Sequence, residues 1–221
     1  MARIARIVMP EYPHHVIQRG NRRQEVFFSD YDREYYLSLL ETFTRKNNVE
    51  VVAYCLMSNH VHLILVPHDE EGLCQAVGEM HRRYTRMINF REEWKGYLWQ
   101  GRYKSYVMNE GYLYQAIRYI ERNPVRAKVV RYAEEYQWSS ARAHVFRERN
   151  SVLSERMNYI DFTEWQEYLR EPDNGTDREL FKKHESTGRP IGDDAFIIKV
   201  ETSLNRVIRK QKPGPKPKVV N

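Results

Sequence analysis

Apolar residues recur at every second position in some stretches of the chain and every third or fourth in others, and this rhythm sets out the elements. His15–Arg19 reads as a first strand, followed by the turn signal Gly20-Asn21. Asp30 caps a predicted helix running to about Lys46, with Tyr36, Leu39, Leu40 and Phe43 at i, i+3, i+4 and i+7 on one apolar face. Val49–Met57 and His60–Val66 are rich in β-formers, and Ser58-Asn59 between them suits a tight hairpin turn. Glu70–Phe90 reads as a second helix, with Leu73, Val77, Met80 and Tyr84 on one side. Leu98–Met108 reads as a fourth strand interrupted by a glycine, and Glu110–Asn123 as a third helix ending at Pro124. The order β-α-β-β-α-β followed by a helix predicts an α+β fold. The pattern is ferredoxin-like, an antiparallel sheet with helices on one face.

Past residue 132 the rhythm weakens. Gln137-Trp138-Ser139-Ser140 is predicted to open another helical stretch, residues 150–180 are acidic and patchily amphipathic, and a short helix is expected from Asp193 to about Asn205. The last stretch, KQKPGPKPKVVN, cannot build a core. Three parts follow: a main domain over residues 1–145, a mostly helical extension over 146–205 and a flexible basic tail over 206–221.

Composition narrows the class. The 221 residues are 41% apolar, enough for one sizeable core. Two cysteines exclude a disulfide scaffold and point to a reducing compartment. No apolar run approaches the ~18 residues of a membrane span, and the start is too weakly apolar for a secretory signal. A cytoplasmic protein is expected, with no membrane partner. The pI is about 9.2, but the positive charge is not spread evenly. Residues 1–23 carry +4, 24–80 carry −7, 81–131 carry +8, 132–205 carry −5 and 206–221 carry +6. Three basic blocks separated by acidic ones make an electrostatic footprint for a polyanion.

The candidate chemistry begins at His60-Val61-His62. On a strand, residues i and i+2 share a face about 6.5–7 Å apart, close enough for two imidazoles to converge on one ion. The bland alternative is two polar residues at the open end of a strand. On the third helix, Leu113, Ile117 and Ile120 define the core direction, and Tyr112, Ala116, Tyr119 and Asn123 fall on the boundary stripe beside it. Of the tyrosines on this helix, only Tyr119 has a side chain with a metal-binding oxygen, Asn123, at i+4. Against this stand 16 tyrosines in the chain, most of which must be packing residues, and Asn123 as an ordinary helix C-terminal residue.

The combination AYCLMSNHVHLIL, a basic helix, YLYQAIRYIERNPVRAKVV and QWSSARAH resembles the single-tyrosine HUH transposases, and more narrowly the REP-associated tyrosine transposases. The resemblance covers about residues 10–145, with a looser match in GRPIGDDAFIIKVE, so residues 1–145 are expected to be the HUH nuclease domain. It implies a ferredoxin-like core in which His60, His62 and a third polar side chain, here Asn123, hold Mg²⁺ or Mn²⁺. It implies that Tyr119 attacks a phosphate of single-stranded DNA and becomes joined to the 5′ side of the break, leaving a free 3′-OH. The implied partner is single-stranded DNA carrying hairpins of repeated extragenic palindromes, with no nucleotide cofactor, bound by a monomer or homodimer. A phenol with a pKa near 10 needs such assistance at neutral pH.

Phosphate contacts are expected from Arg19, Arg22 and Arg23 after the first strand and from Arg82, Arg83 and Arg86 on the second helix. Arg102, Lys104, Arg118, Arg122 and Arg126 flank the proposed site in sequence. Trp94, Trp99 and Tyr103 are candidates to stack on bases, with core packing favoured for the two tryptophans. Two other readings stand beside this one: a replication-initiator or relaxase-type nickase using the same site, and a non-catalytic hairpin DNA- or RNA-binding protein on a ferredoxin-like sheet.

Overall fold

A computed structural model describes residues 6–155, 161–173 and 175–209. Its centre is a four-stranded antiparallel sheet of β1 (His14–Arg19), β2 (Val49–Met57), β3 (His60–Pro67) and β4 (Lys104–Val107), in the order β2-β3-β1-β4. This is the expected ferredoxin-like arrangement, and the fold class is α+β. The helices among the described residues are α1 (Asp30–Lys46), α2 (Gly72–Arg91), α3 (Leu113–Glu121), α4 (Asn123–Arg126), α5 (Ala141–Phe146), α6 (Trp165–Arg170), α7 (Gly175–Thr187) and α8 (Asp194–Ser203).

Helix α1 starts where the sequence can cap it. The Ser29 hydroxyl accepts from the Asp32 amide, and the Asp32 carboxylate accepts from the Ser29 amide. Asp32 is fully buried and pairs with Arg91 at the end of α2, tying the two helices together. They cover one face of the sheet, where Tyr36, Leu40, Leu73, Val77, Met80 and Tyr84 meet Val16, Leu63 and Leu65.

The second face is covered as well. Ile17, Ile64, Val66 and Tyr106 pack against Leu113, Ala116, Ile117 and Ile120 of α3, joined by Trp165, Leu169 and Phe181 of the extension. Every residue of β2 is therefore buried, and the strand loses the polar alternation of a one-sided sheet. Both sheet edges are also covered. Cys55 bridges Ser139 along β2, and Met108 bridges Ile191 beyond β4.

Several boundaries differ from the sequence expectation. The fourth strand is only Lys104–Val107, because Gly101 has φ 153°, a conformation that breaks an extended run of L residues. The third helix divides into a 3₁₀ turn at Glu110–Tyr112, then α3, then α4. Pro124 does not end the helix but sits in the first turn of α4, where its missing N–H costs nothing. Residues 137–140 extend the β2 edge instead of opening a helix, and α5 starts at Ala141. Within the expected tail, Ile208 is buried with Ile7, Met9 and Val107, while residues 210–221 lie outside the described residues. No described helix is long and apolar enough to cross a membrane.

Candidate functional site

The β1–β3 register puts Ile17 opposite His62 and His15 opposite Ile64, and the β1–β4 register puts His15 opposite Tyr106. The period-two rule then places His15, His60, His62 and Tyr106 on the face that α3 covers. The His60 and His62 rings lie 5.1 Å apart at 80°. The Asn59 side-chain oxygen Oδ1 lies 2.6 Å from His60 Nδ1, and His15 Nε2 lies 2.8 Å from His62 Nδ1. Both imidazoles are thus tethered through Nδ1, and neither Nε2 is hydrogen-bonded among the described residues.

Helix α3 brings Tyr119 over these histidines. Its ring centroid is 6.2 Å from that of His62 and 6.1 Å from that of His15. The ring is 9% exposed, stacked on Phe181 of α7 at 4.9 Å, with the Arg126 guanidinium 4.5 Å from its centroid. Its hydroxyl donates to Glu185 Oε1 at 3.1 Å. Phe181 and Glu185 are i and i+4 on α7, so one face of that helix grips both the ring and the hydroxyl. Burying Phe181 completely contributes about 1.5–3 kcal/mol to holding α7 there.

Asn123 begins α4 one turn beyond Tyr119. Its Oδ1 accepts from Arg126 at 2.9 Å, while its Nδ2 is buried without a partner. One Oδ1 lone pair is therefore spent and one is left. Among the described residues, the His, Cys, Asp and Glu side chains close enough to share an ion are His15, His62 and Glu185, whose ligand atoms lie within 4.8 Å of one another. Of the expected ligands His62 belongs to this cluster and His60 does not; imidazole nitrogens and a carboxylate together fit a divalent cation that accepts mixed nitrogen and oxygen ligands.

Burial dominates the electrostatics. It pushes His60 down to about 4, helped by the Arg19 charge, and His15 down to about 3. His62 falls well below the ordinary imidazole value through burial and the neighbouring His15 and His60. All three are neutral at pH 7, as metal-binding imidazoles must be. Burial and the Glu185 charge push the Tyr119 phenol upward, with Arg126 opposing. Burial also raises the Glu185 carboxyl, against the hydrogen bond from Tyr119.

The basic residues divide. Arg19, Arg102 and Lys104 line a cleft of about 490 Å³ with Lys182 and with Glu185, the hydrogen-bond partner of Tyr119. Arg22 and Arg23 are exposed after β1. Arg82, Arg83 and Arg86 are exposed on α2, across the sheet from Tyr119, and Arg82 and Arg83 both pair with Glu79. Arg118 and Arg122 are buried, 6% and 8% exposed. Arg118 donates to the Tyr168 and Glu171 carbonyls and Arg122 to the Glu171 carbonyl; with Arg126 they also surround Asp173. These cations close the end of α6, where unpaired carbonyls favour positive charge. Trp99 and Tyr103 are in the α2-side core, while Trp94 is 42% exposed against Phe28.

His15, Tyr106, Phe181 and Glu185 were not anticipated. His15 lies diagonal to His62 across the β1–β3 register and Tyr106 faces His15 from β4, a signal that the alternation contains once the strand order is known. Nothing local to residues 175–187 marks the other two.

The fold and the His-bearing strand under a tyrosine helix define a class, that of transposases built on a ferredoxin-like sheet. Residues 9–123 match the family model described as IS200-like transposase, and the chain belongs to that family. The family suggests a divalent metal, and the chain carries a cluster of His15, His62 and Glu185. The chain is similar to a solved REP-associated tyrosine transposase bound to a REP hairpin. That match has 18% identity and a TM-score of 0.57, and covers 74% of this chain and 96% of the other. It is also similar to a candidate transposase from Deinococcus radiodurans at 25% identity and a TM-score of 0.38, covering 55% and 97% of the two chains. No curated protein matches.

Proposed function

We propose that this transposase-family chain cuts and rejoins single-stranded DNA at hairpins, with Tyr119 as the nucleophile. The observation that carries the proposal is the Tyr119 hydroxyl, held 3.1 Å from a carboxylate with its ring 6.2 Å from that of His62. Tyr119 Oη forms a bond to phosphorus, the P–O3′ bond breaks, and the leaving oxygen takes a proton from solvent to become a 3′-OH. The product is a 5′-phosphotyrosine. The phenol proton passes to Glu185, a carboxylate already hydrogen-bonded to it and a stronger base than usual because it is buried. The bond energy is kept in the phosphotyrosine, so a 3′-OH reverses the step without nucleotide hydrolysis.

His60 and His62, with Asn123 as third ligand, would hold Mg²⁺ or Mn²⁺. Such an ion neutralises the scissile phosphate and makes phosphorus more open to attack. Arg19, Arg102 and Lys104 line the approach and Arg22 and Arg23 extend it, all as backbone contacts. Arg82, Arg83 and Arg86 form a second basic surface on α2. Arg118, Arg122 and Arg126 serve the end of α6 and are left out of the DNA surface. Hairpin DNA is chosen as substrate because the structurally similar REP-associated transposase is bound to one.

The test is incubation with Mn²⁺ and a single-stranded hairpin oligonucleotide, followed by denaturing electrophoresis. A covalent adduct is expected for wild type and none for Tyr119→Phe, with hairpin binding equal in both. Equal binding with no adduct from either protein would establish the non-catalytic binder. Cleavage confined to a non-hairpin single strand would favour the initiator or relaxase-type nickase.

A further inference from the structure

The geometry points to His15 and Tyr106 as positioning residues that set the tautomer of His62 through a two-step hydrogen-bond chain, an inference that rests on His62 being a metal ligand. The chain is continuous: Tyr106 Oη lies 2.6 Å from His15 Nδ1, and His15 Nε2 lies 2.8 Å from His62 Nδ1. All three side chains are buried, with His15 and Tyr106 fully so and His62 2% exposed. Water does not supply the missing donors or acceptors, so the protons must be consistent along the chain.

A neutral imidazole has one N–H and one lone pair. Between His15 Nε2 and His62 Nδ1 there is one proton, and its owner decides the chemistry. If His15 Nε2 carries it, His62 Nδ1 accepts, the other His62 nitrogen is protonated, and no lone pair is left for an ion. If His62 Nδ1 carries it, His62 Nε2 is bare and can ligate. His15 Nε2 is then the acceptor, His15 Nδ1 carries the second proton, and it donates to Tyr106 Oη. The phenol oxygen can accept that bond, so the chain can close in the competent direction; the reverse, with the phenol O–H donating to His15 Nδ1, leaves His62 Nε2 protonated and unable to ligate. Without the phenol oxygen, His15 Nδ1–H has no acceptor, and the competent direction loses a bond.

The spacing also separates this role from direct ligation. Two nitrogens on one ion at about 2.0–2.1 Å stand about 3 Å or more apart at ordinary ligand angles. At 2.8 Å the His15–His62 pair is a hydrogen bond. The parallel tether on His60 is the Asn59 side-chain oxygen Oδ1, which accepts only, its Nδ2 donating to the Arg23 carbonyl, so His60 is fixed in the same tautomer from within its own hairpin turn. His62 depends on a residue from another strand for what His60 takes from its sequence neighbour.

The test uses the full chain and Mn²⁺ alone, read by calorimetry or electron paramagnetic resonance, together with ¹⁵N–¹H long-range correlation of histidine-labelled metal-free protein. His62 protonated at Nδ1 is expected in wild type, and protonation at Nε2 overturns the inference without any variant. Replacing such an outer partner typically weakens metal binding about 10–100-fold, and that loss is expected for His15→Phe. His15→Gln, whose amide oxygen can reach the His15 Nε2 position and accept the bond, is expected to stay within a few-fold of wild type. Tyr106→Phe is expected to weaken Mn²⁺ binding while leaving hairpin binding intact. Loss in His15→Gln equal to that in His62→Ala would make His15 a ligand and overturn the positioning role. Mn²⁺ binding in His15→Phe and Tyr106→Phe equal to wild type, with His62→Ala defective, overturns the inference but keeps the metal site. Wild type binding Mn²⁺ no better than His62→Ala overturns both.

Discussion

Lowering the pH from 7.5 to 5.0 is expected to remove about 6 kcal/mol or more of folding stability. Three imidazoles set the figure. His14 and His15 are fully buried, and His81 is 5% exposed with its Nε2 2.9 Å from the Tyr36 hydroxyl. Burial pushes His14 down to about 4, and His15 and His81 down to about 3. In the unfolded chain each returns to about 6.5. The folded value lies below the unfolded one, so between them the unfolded state binds more protons and stability rises with pH. This contribution is complete above pH 6.5 and drains as the pH falls through the folded values. At pH 5 all three folded imidazoles are still neutral, so the loss is set by the step from 6.5 to 5, about 2 kcal/mol per residue. His60 and His62, depressed chiefly by burial, add in the same direction. His68 opposes them, since its hydrogen bonds to Glu11 and Glu50 outweigh its burial and raise it. Asp32 and Glu134 are both held low, and their contribution is lost only below about pH 4. Urea unfolding followed by tryptophan fluorescence in metal-free buffer at the two pH values measures the difference. A loss under about 2 kcal/mol would refute the reasoning, since it would mean these imidazoles protonate in place. His81→Gln should shrink the pH-dependent part by about 2 kcal/mol, whatever it does to stability at pH 7.5.

Glu185→Gln keeps a hydrogen-bond acceptor near Tyr119 but cannot take its proton; adduct formation at pH 7 should slow by about 100-fold or more, with hairpin binding unchanged or tighter. An unaltered rate in quenched-flow assays would remove Glu185 from the proton path. Replacing Arg19, Arg102 and Lys104 together by Ala should lower the slope of log K against log salt by about 2 for single-stranded DNA, at about 0.7 per phosphate contact. A parallel shift in affinity with no change in slope would mean these side chains do not touch phosphates. Phe181→Ala opens a cavity worth about 3–5 kcal/mol and loosens α7 over the site. Nitration at Tyr119, mapped by mass spectrometry, should rise several-fold, and an unchanged rate would mean α7 does not control access.

The parts of the site legible in the sequence are those whose geometry is local. His60 and His62 share a face because they are i and i+2 on a strand, a relation that survives an error of two residues in the boundaries. The i, i+4 spacing of Tyr119 and Asn123 assumes one continuous helix, whereas α3 ends at Glu121 and Asn123 opens α4, with Arg126 donating to both residues. Charge was less informative, because a guanidinium aimed at phosphate and one aimed at a helix-end carbonyl have the same sequence signature. Arg118 and Arg122 look like groove residues and are buried against Tyr168 and Glu171. The least legible groups are those that set protonation. His15 and Tyr106 reach His62 only through the register of β1 between β3 and β4, and Glu185 reaches Tyr119 across 66 positions from a largely polar helix. The division has a physical cause. Ligands and nucleophiles need fixed spacing, which one element provides, whereas a buried hydrogen-bond chain needs a partner on each side, and a strand has its own neighbours only along its length. In a central strand such as β1, a polar residue is therefore where such partners should be sought on both sides: His15 faces Tyr106 of β4 and reaches His62 of β3 diagonally, past its direct neighbour Ile64.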